Sequence, residues 1–232
     1  FTLLAIPFFV FTGDLMTRSG IANRIVDVAI AVFGRSRGGL GQVSVGAAMM
    51  FGSVSGSAVA TVSAVGATLI PKMKQEGYDA DYAVNVMTCA AILGVMVPPS
   101  HNMILYAASA GVGVSIIDLF LAGVIPALVT GIALMVAARM VAAKRGYKAG
   151  VFPGWRALAV ALAGALPGLM IIVIIFGGIL GGVFTPTESS AVAVIYTMLI
   201  AALVYRSLGW SQFLQAITGA VQTTAMVMLI IG

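Results

Sequence analysis

The segment Met50-Phe-Gly-Ser-Val-Ser-Gly-Ser-Ala-Val-Ala-Thr61 decides the fold that we predict for this chain, because it interrupts an uncharged apolar run over residues 43–70. A run of that length could cross a bilayer as one helix, for which about 20 apolar residues suffice. Glycine and serine weaken a helix interior and favour turns. We therefore predict a re-entrant helical hairpin over residues 43–70, with its turn at residues 52–57 and two arms that are each too short to cross alone.

Composition places the chain among integral membrane proteins. Of its 232 residues, 61% are hydrophobic and 8% are charged, whereas a soluble domain carries about 25% charged residues. The mean hydropathy is +1.12. We therefore predict an all-α polytopic membrane protein. The net charge of +5 comes from short loops between apolar segments, so it indicates orientation rather than nucleic-acid binding. The single cysteine, Cys89, excludes an internal disulfide, and its apolar surroundings predict a packing role.

The charged loops predict the orientation of the segments. Residues 139–156 carry five basic and no acidic side chains, which indicates a cytoplasmic loop. Tracing the chain from that loop returns both flanks of the hairpin to the cytoplasm, as a re-entrant segment requires. Residues 19–33, and more weakly 211–217 after Trp210, have the pattern of amphipathic helices at the membrane interface. The predicted apolar segments are 1–16, 43–70, 83–108, 119–141, 157–180, 189–205 and one that begins near Val221.

A second break is predicted in the middle of residues 83–108, at Gly94-Val-Met-Val-Pro-Pro-Ser-His-Asn102. Two consecutive prolines lack N–H groups, so the carbonyls of Gly94 and Val95 lose their helical partners and the helix unwinds near Val97. Free carbonyls and the side-chain oxygens of Ser100 and Asn102 are suitable ligands for Na⁺ or K⁺. A helix that restarts near the second proline would favour an anion nearby.

The turn and the break together form the candidate site. The simpler interpretations are close helix packing for the small residues of the turn and an ordinary kink for the proline pair. Their occurrence in succession favours a binding site in a secondary transporter, where interrupted helices hold ions and substrate. The candidate Na⁺ ligands are Ser53, Ser55, Gly56, Ser57, Gly94, Val97 and Pro98, and the candidate substrate ligands are Ser57, Thr61, Pro99, Ser100 and Asn102.

Four motifs together resemble one family, the large membrane subunit (DctM type) of tripartite ATP-independent periplasmic (TRAP) transporters, within the wider ion-transporter superfamily. The motifs are Gly52-Ser-Val-Ser-Gly-Ser-Ala-Val-Ala-Thr61, Ile70-Pro-Lys-Met73, Pro98-Pro-Ser100 and Gly182-Val-Phe-Thr-Pro-Thr-Glu188. The resemblance implies a sodium-driven elevator importer of organic acids, such as C4-dicarboxylates or sialic acids, in the bacterial inner membrane. It also implies two partners, a small membrane subunit and a periplasmic substrate-binding protein.

The resemblance further implies the organisation of the chain. Residues 1–150 would be the first of two inverted repeats, and residues 151–232 would be linker helices and the start of the second repeat. The second hairpin and the second Pro-Pro break of the family do not occur here, so we expect about half of a subunit. The turn and the break of this chain would then form one Na⁺ site and half of the substrate site.

Three further polar residues lie in apolar surroundings. Thr185-Pro-Thr-Glu188 reads as a helix-capping box, which we favour over proton coupling through Glu188. We expect His101 to be structural and Asp14 to face a loop or a polar cleft. Catalytic triads, metal-ligand clusters and phosphate-binding loops are absent from the sequence, so we expect no enzyme. The alternatives that remain are a stand-alone Na⁺-coupled dicarboxylate or citrate carrier and, from another class, an ion channel.

Overall fold

A computed structural model describes residues 2–110, 113–150 and 154–231. The described residues form helices and connecting loops, with no β-strand among them. One isolated antiparallel bridge pairs Arg37 with Ala149. Two π-helical segments, Val62–Gly66 and Ile200–Val204, extend α4 and α11. The helices in chain order are α1 (Ala5–Arg18), α2 (Ile21–Phe33), α3 (Gly39–Ser55), α4 (Ala58–Thr61), α5 (Ala67–Gln75), α6 (Ala80–Ala91), α7 (Leu93–Met96), α8 (His101–Ala110), α9 (Ile116–Lys144), α10 (Trp155–Leu180), α11 (Pro186–Leu199) and α12 (Trp210–Ile231).

Three long helices of the described chain meet the length and hydropathy requirements of a membrane span: α9, α10 and the segment Pro186–Val204. They correspond to the predicted segments 119–141, 157–180 and 189–205, with ends that differ by a few residues. The pair Ala80–Met96 and His101–Ala110 would be a fourth span, bent by 50° at its break. The all-helical, multi-pass prediction is therefore confirmed.

The predicted hairpin forms, but its turn is shorter and its arms are longer than expected. The first arm is α3, and the second runs back through α4 and α5, so that the Ser44 hydroxyl contacts the Met73 sulfur at 3.8 Å. Only Gly56 and Ser57 leave the helix. Gly56 has a φ of +60°, and its amide donates to the Gly52 carbonyl at 2.8 Å. The prediction that Gly52 lies in the turn was wrong, because its small size serves helix contact instead.

The amphipathic helix predicted over residues 19–33 forms as α2, which packs between α3 and α10. Ile21, Ile25, Val28 and Ala29 of its predicted apolar face are buried, whereas Val32 is 49% exposed. α2 is therefore covered by helices on two sides and does not lie freely along the surface of the protein.

Two other predictions need correction. The amphipathic segment 211–217 and the apolar segment near Val221 are parts of one continuous helix, α12, which runs through Gly219 without a break. Cys89, for which we predicted a packing role, is exposed on α6 beside a shallow groove that α9 also lines.

A polar cluster joins the loop before α6 to the end of α9. The Arg145 guanidinium contacts Asp79 at 2.9 Å and Asp81 at 2.8 Å. The Tyr147 hydroxyl donates to the Asp79 carboxylate at 2.7 Å. We call these four residues the Arg145 cluster, which fastens the two helices at one end.

Candidate functional site

The structure brings the hairpin turn and the proline break into contact. A Cβ on Gly52 would overlap the backbone of Gly94, so α3 and α7 touch main chain to main chain. A Cβ on Gly56 would lie 2.9 Å from the His101 nitrogen and 3.2 Å from Ser100 Cα. The two breaks are therefore adjacent, as predicted.

At the break the helix unwinds where the sequence predicts. Val97 is extended, with φ −74° and ψ 121°, and no backbone amide of the described chain donates to the carbonyls of Gly94 or Val95. The new helix begins at His101, close to Pro99 as predicted. The Ser100 carbonyl accepts the first amides, from Met103 at 3.1 Å and Ile104 at 3.3 Å.

Two buried polar atoms at this contact lack hydrogen-bond partners in the described structure, namely Ser100 Oγ and His101 Nδ1. Ser100 is fully buried and His101 is 5% exposed. About 90% or more of buried polar groups in proteins are paired, so the unpaired Ser100 hydroxyl is available to a ligand. The His101 ring also interacts with the Ser55 backbone, and its expected structural role stays a prediction.

The hydroxyls of the turn are differently engaged. Ser53 donates to the Met50 carbonyl at 2.8 Å and Thr61 to the Ser57 carbonyl at 2.7 Å. Ser57 caps α4 by accepting the Ala60 amide at 3.3 Å. Each hydroxyl oxygen has two lone pairs, so each can still act as a ligand.

A polar cavity of about 340 Å³ lies beside the turn, between α1, the hairpin and α12. Of the predicted residues, Ser55 and Ser57 line it; Asp14 also does, in agreement with the expected polar cleft. Arg18 and the lining residues of α12 were not predicted. The available signal was the helical spacing of Asp14 and Arg18 on one face. The remaining lining residues are Val10, Thr17, Val59, Ala60, Ser63, Gly219, Gln222 and Thr223.

The other candidate residues do not line this cavity. Pro98, Pro99 and Ser100 are buried, and Val97 and Asn102 are partly exposed. The Asn102 side chain makes no hydrogen bond with any described residue. The structure thus groups the turn and residues 94–101 in one cluster, with Asn102 at its margin.

Glu188 caps α11 as the sequence predicts. Its carboxylate accepts the Thr185 amide at 2.8 Å, and the Thr185 hydroxyl accepts the Glu188 amide at 3.3 Å, with Pro186 at the first helical position. Among the described residues, no group of three His, Cys, Asp or Glu side chains could hold a metal ion.

Long apolar helices, a helical hairpin and a broken helix define a polytopic helical membrane protein. The family model described as "Tripartite ATP-independent periplasmic transporter, DctM component" matches residues 1–232. The chain therefore belongs to the DctM family of TRAP transporter permeases.

Named relatives agree with this family. The chain is 44% identical over 209 residues to the C4-dicarboxylate TRAP transporter large permease protein DctM of Vibrio cholerae, covering 90% of this chain and 46% of that protein. It is 41% identical to the DctM protein of Pseudomonas aeruginosa, over 100% of this chain and 54% of that protein. It is 38% identical to the sialic acid TRAP transporter large permease protein SiaM of Vibrio cholerae, with the same two coverages. The chain thus spans about half the length of these curated relatives.

Proposed function

We propose that this chain is part of the large permease subunit of a Na⁺-coupled secondary transporter that imports organic acids into a bacterial cell through the inner membrane. Carboxylates such as C4-dicarboxylates or sialic acids are the proposed substrates, since relatives are named for them. The proposed partners are a small membrane subunit and a periplasmic substrate-binding protein that delivers the substrate.

The observation that carries this proposal is the contact between the hairpin turn and the proline break. It collects unpaired oxygens, namely the carbonyls of Gly94 and Val95 and the Ser100 hydroxyl. Oxygen donors of this kind suit a hard cation such as Na⁺. Irregular backbone at membrane depth is tolerated where it is buried in protein or lines a cavity, and discontinuous helices of transporters bind ions there.

The residues have two proposed tasks. One set holds Na⁺ as a co-substrate, and the other receives a substrate carboxylate that the bound charge attracts. A cation that orders the turn raises the affinity for the anion, and by linkage the anion raises the affinity for the cation by the same factor. Movement of the hairpin against α1 and α12 would change access to the cavity between them, as in an elevator. The Na⁺ set comprises Ser53, Ser55, Gly56, Ser57, Gly94, Val97 and Pro98, and the substrate set comprises Ser57, Thr61, Pro99, Ser100 and Asn102.

The test is uptake of organic acids into proteoliposomes that contain the permease subunit bearing this chain and its partners, under an imposed Na⁺ gradient. We expect uptake to need both Na⁺ and the binding protein. Uptake with Na⁺ alone would replace the proposal with a stand-alone carrier, and conductance without saturable uptake would replace it with a channel.

Variants locate the Na⁺ site in the same assay. Ser55→Ala combined with Ser57→Ala should reduce Na⁺-dependent uptake, whereas the control Ser44→Ala should not, because Ser44 bonds to Leu40 far from the turn. Ser100→Ala removes a hydroxyl that has no partner, so the thermal stability of the Na⁺-free protein should hold or rise while half-maximal uptake needs more Na⁺. Unchanged Na⁺ dependence in both variants would refute the assignment.

A further inference from the structure

A basic groove of about 650 Å³ lies between α2 and α10, away from the hairpin turn. α2 contributes Arg24 and Asp27, and α10 contributes Arg156 at its second position. The floor along α10 is made of small residues, Ala157, Ala161 and Gly164. The groove therefore combines two guanidinium groups with a smooth apolar surface.

Arg24 is held in place without using its hydrogen-bond donors. Its guanidinium carbon lies 4.1 Å from the centre of the Tyr205 ring, and the Tyr205 hydroxyl donates to the Gly164 carbonyl at 2.8 Å. A guanidinium stacked on an aromatic face keeps its N–H groups free at the edge. No residue of the described chain accepts a hydrogen bond from the Arg24 guanidinium or forms an ion pair with it.

Arg156 faces the same groove and has no ion pair with any described residue. It ends the basic segment 139–156, which the sequence places on the cytoplasmic side. Its neighbour Trp155 is 79% exposed and Val160, one turn further along α10, is 67% exposed. Tryptophan beside basic residues, followed by exposed aliphatic residues, is typical of the level at which lipid headgroups meet acyl chains.

We propose that this groove binds an anionic phospholipid of the cytoplasmic leaflet. Arg24 and Arg156 would hold the phosphate by charge-assisted hydrogen bonds, and one acyl chain would lie along Ala157, Val160 and Ala161. Basic pockets between membrane helices on the cytoplasmic side bind acidic headgroups by this chemistry. Asp27 lines the groove without an ion pair of its own, so it opposes the phosphate and limits the affinity.

The experiment is lipid binding to the purified permease subunit containing this chain, measured by native mass spectrometry with added phosphatidylglycerol or phosphatidylcholine. Binding needs no transport, so its result does not depend on the proposed Na⁺ coupling. We expect phosphatidylglycerol to bind more tightly, and Arg156→Gln to weaken it about fivefold, the factor that corresponds to about 1 kcal/mol per basic side chain near a membrane surface. Arg24→Gln should weaken it at least as much.

Two further variants separate a specific site from general charge and from misfolding. Arg139→Gln removes an exposed arginine of α9 outside the groove and should leave binding unchanged. Asp27→Asn should tighten binding severalfold, a gain that a damaged fold would not give. The proposal is overturned by equal binding of the two lipids, by an equal loss in Arg139→Gln, or by displacement with inorganic phosphate, which would indicate a free-anion site. Phosphatidylethanolamine is added in a separate titration. If it binds more tightly than phosphatidylglycerol and Asp27→Asn weakens that binding, the groove takes a zwitterionic lipid and the proposal is overturned.

Discussion

At the scale of single residues, Gly52 and Gly94 set the distance between the hairpin and the broken helix. A methyl group on Gly52 would overlap the Gly94 backbone, and one on Gly94 would press on the Thr61 side chain and the Ser57 carbonyl. These neighbours are mostly main chain and cannot turn away as a flexible side chain could. Small residues let helices in membranes approach this closely, so the geometry of the candidate site depends on the pair.

Gly52→Ala should therefore lower the free energy of unfolding by about 1–3 kcal/mol, the usual cost of overpacking, and should reduce Na⁺-dependent uptake by moving the turn from the break. Thermal unfolding of the detergent-solubilised subunit measures the first effect. Gly177→Ala on α10 is the matched control. No described atom beyond its chain neighbours and its own helix backbone lies within 4 Å of its Cβ position, so the better helix propensity of alanine should leave stability equal or higher by up to about 1 kcal/mol. Equal losses in both variants would contradict the packing argument.

The sequence predicted the polar break at residues 52–57 but not the different tasks of its two glycines. Glycine is favoured both where φ is positive, as at Gly56, and where two backbones touch, as at Gly52. Local sequence cannot separate these cases, because the partner of Gly52 is on another helix. The proline break was easier to predict, since a missing N–H is a property of the residue itself.

At the scale of elements, the start of α11 depends on its capping box. Thr185→Ala removes the side-chain acceptor of the Glu188 amide, and we expect a loss of about 1 kcal/mol in the free energy of unfolding. Glu188→Gln keeps an amide oxygen that can accept the Thr185 amide, so uptake and its pH dependence should persist. Thermal unfolding and uptake at several pH values check both expectations. Loss of uptake in Glu188→Gln without loss of stability would instead favour the proton-coupling interpretation.

The long helices α9 and α10 were predictable because their sequences are predominantly apolar. In a membrane, a helix satisfies the backbone hydrogen bonds of such a segment internally. α12 was not predicted as one helix. Its first part, residues 211–217 after Trp210, suggested an interfacial segment separate from the apolar one near Val221, whereas Gln222 and Thr223 line the cavity beside the turn. The apolar stripe of α2 predicted burial but could not show that α3 and α10 provide the cover, and its place at the membrane interface stays a prediction.

At the scale of the whole molecule, the Arg145 cluster and the Arg37–Ala149 bridge tie together loops that are distant in sequence. The bridge connects the segment before the hairpin to the segment after α9, and Arg145 connects that segment to the loop before α6. The hairpin, the broken helix and α9 are thereby joined at one end as well as through their packing. We infer that these elements move as one unit, and acidic pH should loosen that unit.

The Asp79 carboxylate is one of two groups through which pH acts on this cluster, the other being Asp81. The Tyr147 hydroxyl donates to Asp79 and Arg145 pairs with it, and both contacts lower the pKa of Asp79 from its ordinary value of 3.8. A lowered folded-state pKa means that the carboxylate stabilises the fold fully above its ordinary pKa, and that this contribution is lost as the pH falls through the folded-state value. Asp79→Asn should therefore lower the melting temperature of the subunit near neutral pH.

The variant should also lose less stability than the unmodified protein as the pH falls from about 6 to about 3, because it lacks the Asp79 contribution and keeps only the pairing of Arg145 with Asp81. Melting temperatures of both proteins over this range provide the measurement. Glu76→Gln is the control, since Glu76 lies in the same loop and forms no ion pair with any described residue, and it should keep the pH response of the unmodified protein. A parallel decline in all three proteins would show that the Arg145 cluster does not set the acid stability of this unit.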